Sequence, residues 1–221
     1  MIIIHNILKR LFDIIFGIIG LLIVSPLFIV VSIVIKIDSK GAVFFRQARL
    51  GKDKKPYMIY KFRSMVENAE NMGTGIFNMK NDSRVTKVGQ FLRDTSIDEL
   101  PQFINIIKGD MSFIGPRPPV TYELGDLDEL SQEFNDRFRV KPGVSGLAQV
   151  SGRNELSWDE KVKYDNIYIE NFYKYGIIYD IWLIILTVIK VMKNEGSHEV
   201  EENVQKDMAR MAKQKKDKDT K

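Results

Sequence analysis

The stretch Ile14–Ile35, IIFGIIGLLIVSPLFIVVSIVI, runs without a charge and decides what kind of fold this chain can have. A straight helix of that length measures roughly 33 Å at 1.5 Å per residue, about one hydrocarbon core. It is too long for a secretory h-region, and no small-residue cleavage site follows it. Hydropathy alone reads it as a single transmembrane span, but two features oppose that reading. Ser25-Pro26 stands at its middle. Proline cannot donate to the carbonyl of Leu22, so a sharp bend is expected there, with the Ser25 hydroxyl available to cover a freed carbonyl. Lys9 and Arg10 precede the run, and Lys36, Lys40, Arg46 and Arg49 follow it. A spanning helix carries its basic excess on one side. Basic residues at both ends fit a helix that enters, bends and returns to the same face.

Outside this run the chain has the composition of a soluble domain from Gly41 to about Glu195. Its 221 residues suffice for one ordinary domain with appendages. The net charge is +4, from 33 basic and 29 acidic residues, so where the charges lie matters more than their sum. The chain has no cysteine, which removes disulfides, thiolate nucleophiles and cysteine-based zinc sites together. The two histidines, His5 and His198, lie near opposite ends, so neither a histidine base nor a two-histidine metal site is expected. Chemistry must rest on carboxylates, cationic side chains, hydroxyls and a hard cation held by oxygen.

Along the domain, 42–47 and 57–63 are rich in aromatic and β-branched residues and flank Gly51 and Lys52–Lys55, which predicts a hairpin. Helices are expected at 88–93, 100–108, 127–138 and 158–173. Turns are expected over 141–152, and an irregular segment at Gly115–Pro119. Residues 66–79 pattern weakly. The apolar stretch Ile177–Met192 would reach only ~24 Å, short of a span, and suits either a core helix or an interfacial one anchored by Tyr179 and Trp182. After Lys193 the chain is charged and free of aromatics, as a disordered tail would be.

The densest chemical candidate is Phe91–Gln102, FLRDTSIDELPQ. Ser96 and Glu99 have capping-box spacing, so Asp98 and Glu99 have a purely structural reading as acids in a first helical turn. The same position has a chemical consequence. Positive backbone potential favours an ionised carboxylate, hence an oxygen nucleophile, and two adjacent carboxylates suit magnesium. Lys61, Arg63, Arg84, Lys87, Arg93, Arg117 and Arg153 are spaced as phosphate chemistry would want, against the bland alternative of solvated surface charges. Arg117 escapes that alternative best, because two φ-locked prolines flank it. The chain has no P-loop and no Gly-x-Gly-x-x-Gly, which speaks against ATPases and dinucleotide enzymes.

The ordered set Lys9-Arg10-x-x-Asp13, Ser25-Pro26, Phe44-Phe45-x-Gln47-x-Arg49-x-Gly51, Lys61–Met65, Arg84-x-Thr86-x-x-Gly89, Leu92–Gln102, Gly109–Ser112, Gly115–Pro118, Pro142-Gly143, Gly146–Gln149 and Ser151–Arg153 resembles the bacterial sugar transferases, the monotopic phosphoglycosyl transferases, over roughly residues 8–193. The resemblance implies an α+β, mostly helical, membrane-associated domain with a small β-hairpin or sheet, a re-entrant N-terminal helix broken at Ser25 and Pro26, and interfacial amphipathic helices. The implied layout is 1–40 membrane helix, 41–194 catalytic domain on the cytoplasmic face of the bacterial inner membrane, and 195–221 tail. By motif, Asp98 is the nucleophile and Glu99 its partner, and the two hold Mg2+. Lys61, Arg93 and Arg117 are the implied phosphate contacts, and Arg63, Arg84, Gln149 and Arg153 complete the expected substrate-binding set. Departures are small: Asp82-Ser83-Arg84 replaces the usual Asp-Pro-Arg, Ile97 stands for leucine, and the chain resembles the small members that lack extra N-terminal membrane helices.

The activity so implied moves a sugar 1-phosphate from a UDP-sugar to polyprenyl (undecaprenyl) phosphate, releases UMP, passes through a covalent aspartyl-phosphosugar, and begins capsule, exopolysaccharide or glycoprotein glycan assembly. Nucleic acid is not an expected partner, and a homo-oligomer is allowed. Two alternatives stand beside it: a glycosyl transferase that releases UDP, and a non-enzymatic bitopic membrane adaptor.

Overall fold

The computed structural model describes residues 2–73, 75–77, 79, 82–152, 155–193 and 202–209. Its first element is one long helix, α1 (Ile2–Asp38), with Pro26 inside it. The Ser25 hydroxyl donates to the Leu22 carbonyl at 2.8 Å, the acceptor that proline's missing N–H leaves without its helical partner. One stripe of α1 is buried, with Lys9, Asp13 and Gly17 at four-residue spacing and Val31 and Ile35 further on. Residues off that stripe, Ile3, Leu22, Ile23, Ile29 and Ile37 among them, are exposed. The helix therefore lies along the domain and turns an apolar surface outward.

It is fastened at both ends. Near its start, Arg10 donates to the carbonyls of Ile106 and Ile107 at 2.7 and 2.8 Å. Lys9 pairs with Asp180 and donates to Ile114 O at 2.9 Å, and Asp13 accepts from Ser112 Oγ at 2.9 Å. Near its end, Val31 and Ile35 pack with Phe62 and Leu92. Arg63 donates to the carbonyls of Ser39 and Lys40, just past the helix. Between these points Gly20 faces the Phe103 ring so closely that a Cβ there would stand 3.1 Å from it.

The predicted hairpin is present as β1 (Phe44–Leu50) and β2 (Pro56–Phe62), antiparallel, with Phe44 opposite Phe62 and Leu50 opposite Pro56. Thr86 caps α2 (Lys87–Asp94), accepting from Gly89 N at 2.9 Å. Gly89 lies against the Ser64 backbone, where a Cβ would meet Ser64 O at 1.9 Å, so no other residue fits. A 3-10 turn, Ile97–Glu99, leads into α3 (Gln102–Lys108), which Gly109 ends with φ 94°.

Three expectations are corrected. The helix predicted over 127–138 shrinks to α4 (Gln132–Asp136) and a 3-10 turn at Arg137–Arg139. Ser131 starts it late as a cap, and the Asp126 side chain accepts from Asp128 N, holding the preceding residues in a turn. The turns predicted over 141–152 are instead β4 (Gly143–Ser145) and α5 (Leu147–Ser151). β4 pairs in parallel with β3 (Ser112–Ile114), a partner too short and too distant for a local pattern to reveal. Third, residues 202–209 form a helix within the predicted tail. There Val204 is buried, Asn203 donates to Glu155 O and Lys206 pairs with Glu202 one turn back. The remainder of the tail lies outside the described residues.

Two longer helices close the domain. A capping box formed by Ser157 and Glu160 opens α6 (Trp158–Tyr175). After Gly176 comes α7 (Ile177–Lys193). Leu183 and Asp180 on α7 are buried, whereas Ile178, Ile181, Trp182, Ile185 and Met192 are exposed.

Candidate active site

The acid pair sits on the turn between α2 and α3, and that turn departs from a simple helix start. Ser96 is left-handed with φ 56° and makes no side-chain cap. The Glu99 side chain instead reaches β2, where the Lys61 ammonium donates to its Oε1 at 2.7 Å. The capping-box account of Glu99 is thereby replaced. Buried Asn105 sets the register between α3 and β2, accepting from Tyr60 N at 3.0 Å and donating to Met58 O at 2.7 Å. Lys61 follows Tyr60 directly and so arrives beside Glu99.

Asp98 is buried on the same turn. Burial pushes the Lys61 ammonium below its ordinary value, opposed chiefly by Glu99 and then Asp98. Burial likewise lowers Arg93, opposed first by Asp98 and next by Asp82. Arg117 is close enough to repel Lys61 and Arg49. Two carboxylates, Lys61, Arg93 and Arg117 thus share one electrostatic neighbourhood.

The loop bearing Arg117 is held by its backbone. Pro118 O accepts from Arg49 at 3.0 Å, Pro119 O from Leu50 N at 3.0 Å, and Pro116 O from Gly143 N at 3.0 Å. The carbonyl of Arg117 itself accepts from Arg137 at 2.7 Å. Arg137 is almost wholly enclosed, pairs with Asp165 at 2.8 Å and lies over the Trp158 ring. Burial pushes the Asp165 carboxyl up to about 6 against the pull of Arg137. Among the described residues the Arg117 guanidinium makes no hydrogen bond or ion pair, and Arg117 lines the adjoining cavities.

The other expected residues divide. Gln149 lines the same cavity of about 160 Å³ as Glu99 and Arg117, and both polar atoms of its amide are buried without a partner among the described residues. The structure does not bring Arg63 or Arg84 to that cavity. Arg63 caps the end of α1, as described above. Arg84 is buried with its fork spread over the carbonyls of Ala69, Met72, Gly75 and Phe77 and over Asp82, which organises the 69–84 loop. Asp82 is lowered first by that arginine. Arg153 lies outside the described residues. Arg49 and Arg137 were not anticipated as loop-holding residues; Arg49 stood in a quoted motif, whereas nothing local marks Arg137.

Residues 4–194 match the family model described as bacterial sugar transferase. A UDP-glucose:undecaprenyl-phosphate glucose-1-phosphate transferase of Klebsiella pneumoniae is 44% identical over 200 residues, covering 88% of this chain and 42% of that protein. The uncharacterized sugar transferase EpsL of Bacillus subtilis is 38% identical over 190 residues, covering 86% and 90%. The exopolysaccharide production protein ExoY of Sinorhizobium fredii is 36% identical over 209 residues, covering 88% and 90%. The chain therefore spans well under half of the first relative and nearly all of the other two.

Proposed function

This chain belongs to the bacterial sugar transferase family, and we infer from that membership and from the site that it moves a sugar 1-phosphate from a UDP-sugar to polyprenyl phosphate and releases UMP. The observation that carries the reading is the turn at 96–99, which sets two carboxylates among Lys61, Arg93 and Arg117. Relatives named for glucose, N-acetylgalactosamine and galactose phosphate transfer to undecaprenyl phosphate support the substrate class.

In the first step an oxygen of Asp98 attacks the β-phosphorus of the UDP-sugar. The bond from that phosphorus to the bridging oxygen breaks, and UMP leaves with the electron pair. In the second step an oxygen of polyprenyl phosphate attacks the same phosphorus and the Asp98 carboxylate departs, leaving a polyprenyl-diphospho-sugar. Lys61, Arg93 and Arg117 oppose the charge that gathers on the phosphoryl oxygens. The amide of Gln149, unpartnered among the described residues, suits a polar group of the substrate.

Magnesium would be held here by Asp98 and Glu99. The donor set fits in kind: the turn at 97–99 carries two adjacent carboxylates, and phosphate oxygens and water would complete the shell, as is usual for this ion. When bound it supplies charge neutralisation at the phosphate.

We place the outward apolar faces of α1 and α7 in the cytoplasmic leaflet of the inner membrane, with α1 re-entrant. The contacts at both ends of α1 support this, because a helix crossing the bilayer would carry one end away from a domain on the other side. The same contacts oppose the bitopic adaptor. The test is the leaving nucleotide: membranes given polyprenyl phosphate and a panel of UDP-sugars should release UMP, and release of UDP would replace this reading with a glycosyl transferase.

A further inference from the structure

The cavity beside the acid turn has two unlike kinds of lining. Ser96, Glu99, Arg117 and Gln149 are its polar side chains near the acid turn. Leu100, Phe103, Phe113, Val144 and Val150 make its apolar part, and α7 edges it with Thr187, Lys190 and Val191, the last 36% exposed. The hydroxyls on that side are already satisfied: Ser145 and Thr187 bond each other at 2.7 Å, and Thr187 donates to Leu183 O at 2.7 Å. That apolar part, a corridor beside the polar groups, thus offers a ligand apolar contact and little else. A nucleoside or a sugar ring would leave several hydroxyl or imide groups facing carbon there, at ~1–3 kcal/mol for each unmet group. A hydrocarbon chain carries no such groups.

The opposite face of the rim helix is already apolar and open. Ile185, Val188, Ile189 and Met192 are exposed on α7, one or two residues away from those that line the cavity, and Trp182 is exposed a turn further back. The corridor is therefore continuous with a surface suited to lipid. Charge agrees with an anionic headgroup, since Arg117 and Lys190 both line the cavity. The wall between corridor and α1 is Phe103, seated against Gly20, so the apolar N-terminal helix braces the passage.

We propose that this cavity receives the first isoprene units of the lipid acceptor, which enter past Val191 on α7 with the acceptor phosphate delivered to Arg117. The proposal rests on the phosphoglycosyl transfer reading above and adds the acceptor's route to it. The corridor is then used in the second step only. The first step needs no acceptor, and its reversal can be followed alone as exchange of labelled UMP into UDP-sugar.

The test is Val191→Trp in the full-length membrane enzyme, a bulky change at a half-exposed rim position. The expected result is a rise of about tenfold or more in the KM for polyprenyl phosphate, equivalent to ~1.4 kcal/mol of lost binding, with UMP exchange within twofold of the unaltered enzyme. An unchanged acceptor KM would overturn the proposal. So would an equal loss of exchange in a variant that melts normally, because the cavity would then serve the donor. A second measurement needs no variant: an isoprenyl phosphate carrying a diazirine in its first units should label α3 and the C-terminal half of α7. Labelling confined to the outer face of α1 would place the acceptor elsewhere. If the unaltered enzyme performs no UMP exchange, the covalent reading itself fails, an outcome separate from either result on Val191.

Discussion

Arg84 and Arg117 look alike in the sequence, each an arginine in a turn-rich loop beside residues suited to phosphate chemistry, and the fold employs them oppositely. The Arg84 fork is spent on four loop carbonyls and a carboxylate, so it holds its own segment together. At Arg117 it is the backbone that is gripped, by Arg137 at its own carbonyl and by Arg49 at the next one, while the residue lines the cavities with its guanidinium unpaired among the described residues. The difference teaches where to look. An arginine whose donors meet backbone acceptors is a strut. One whose carbonyl is fixed by a neighbour is a positioned reagent, ordered in advance of its ligand.

The largest effect should come from the residue this contrast surrounds. Asp98→Asn keeps the shape of the side chain and removes its nucleophilic charge. Turnover and UMP exchange should both fall beyond the ~10²–10⁴-fold typical of a lost acid–base role, with thermal unfolding unchanged. Near-normal exchange in that variant would end the covalent mechanism. Glu99→Gln should cost nearly as much, and excess chelator should silence the enzyme; activity that survives chelation would remove magnesium from the site.

The two arginines themselves give the next test, a split between activity and stability. Arg117→Lys replaces a planar fork by a point charge, so kcat/KM should fall on the order of 10²-fold while the melting temperature holds. Arg84→Lys should do the reverse, destabilising by ~3 kcal/mol or more because several buried carbonyls lose their donor. Arg84→Lys that melts normally and loses activity would move Arg84 back into the substrate-binding set.

What the sequence disclosed follows the range of each interaction. The hairpin, α6 and α7 are written in local patterns, and each lies within a few residues of its expected position, whereas the acid turn stands where its motif is but without the capping box its spacing suggested. The β3–β4 pair is not so written, since two three-residue strands separated by more than twenty-five residues carry no periodicity. The site was half legible for the same reason. Motif order pointed to Lys61, Arg93, Asp98, Glu99 and Arg117 as a group. Nothing local separated them from Arg63 and Arg84, whose carbonyl partners are set by the packing of α1 and of the 69–84 loop. Buried Arg137 and Asp165 sit in an otherwise polar stretch and on a polar-looking helix, so their pairing appears only with the fold.

The smallest expected effect concerns the two fastenings of α1, and it sharpens the same contrast between what holds and what is held. If α1 is re-entrant, Met1 and the catalytic domain lie on one side of the membrane. Replacing Ser25 with leucine and Pro26 with alanine restores the helical N–H at position 26 and removes the Ser25–Leu22 bond. The uncharged run Ile14–Ile35 is then long enough to span, so some molecules should place their N-terminus outside. Two terms resist the flip. Lys9 and Arg10 each cost ~2.5–3.5 kcal/mol at mid-membrane on insertion scales. The same two residues would also abandon their partners at Asp180 and at the end of α3. The outcome should be a mixed population and not a clean inversion. The absence of native cysteine makes it measurable with a single cysteine at position 3 and an impermeant thiol reagent on intact cells. That site should be shielded in the parent protein and partly labelled in the double variant, and more fully labelled once Lys9→Ala is added. Labelling from outside in the parent protein would mean a plain transmembrane helix, and the contacts at one end of α1 would then not form in the membrane.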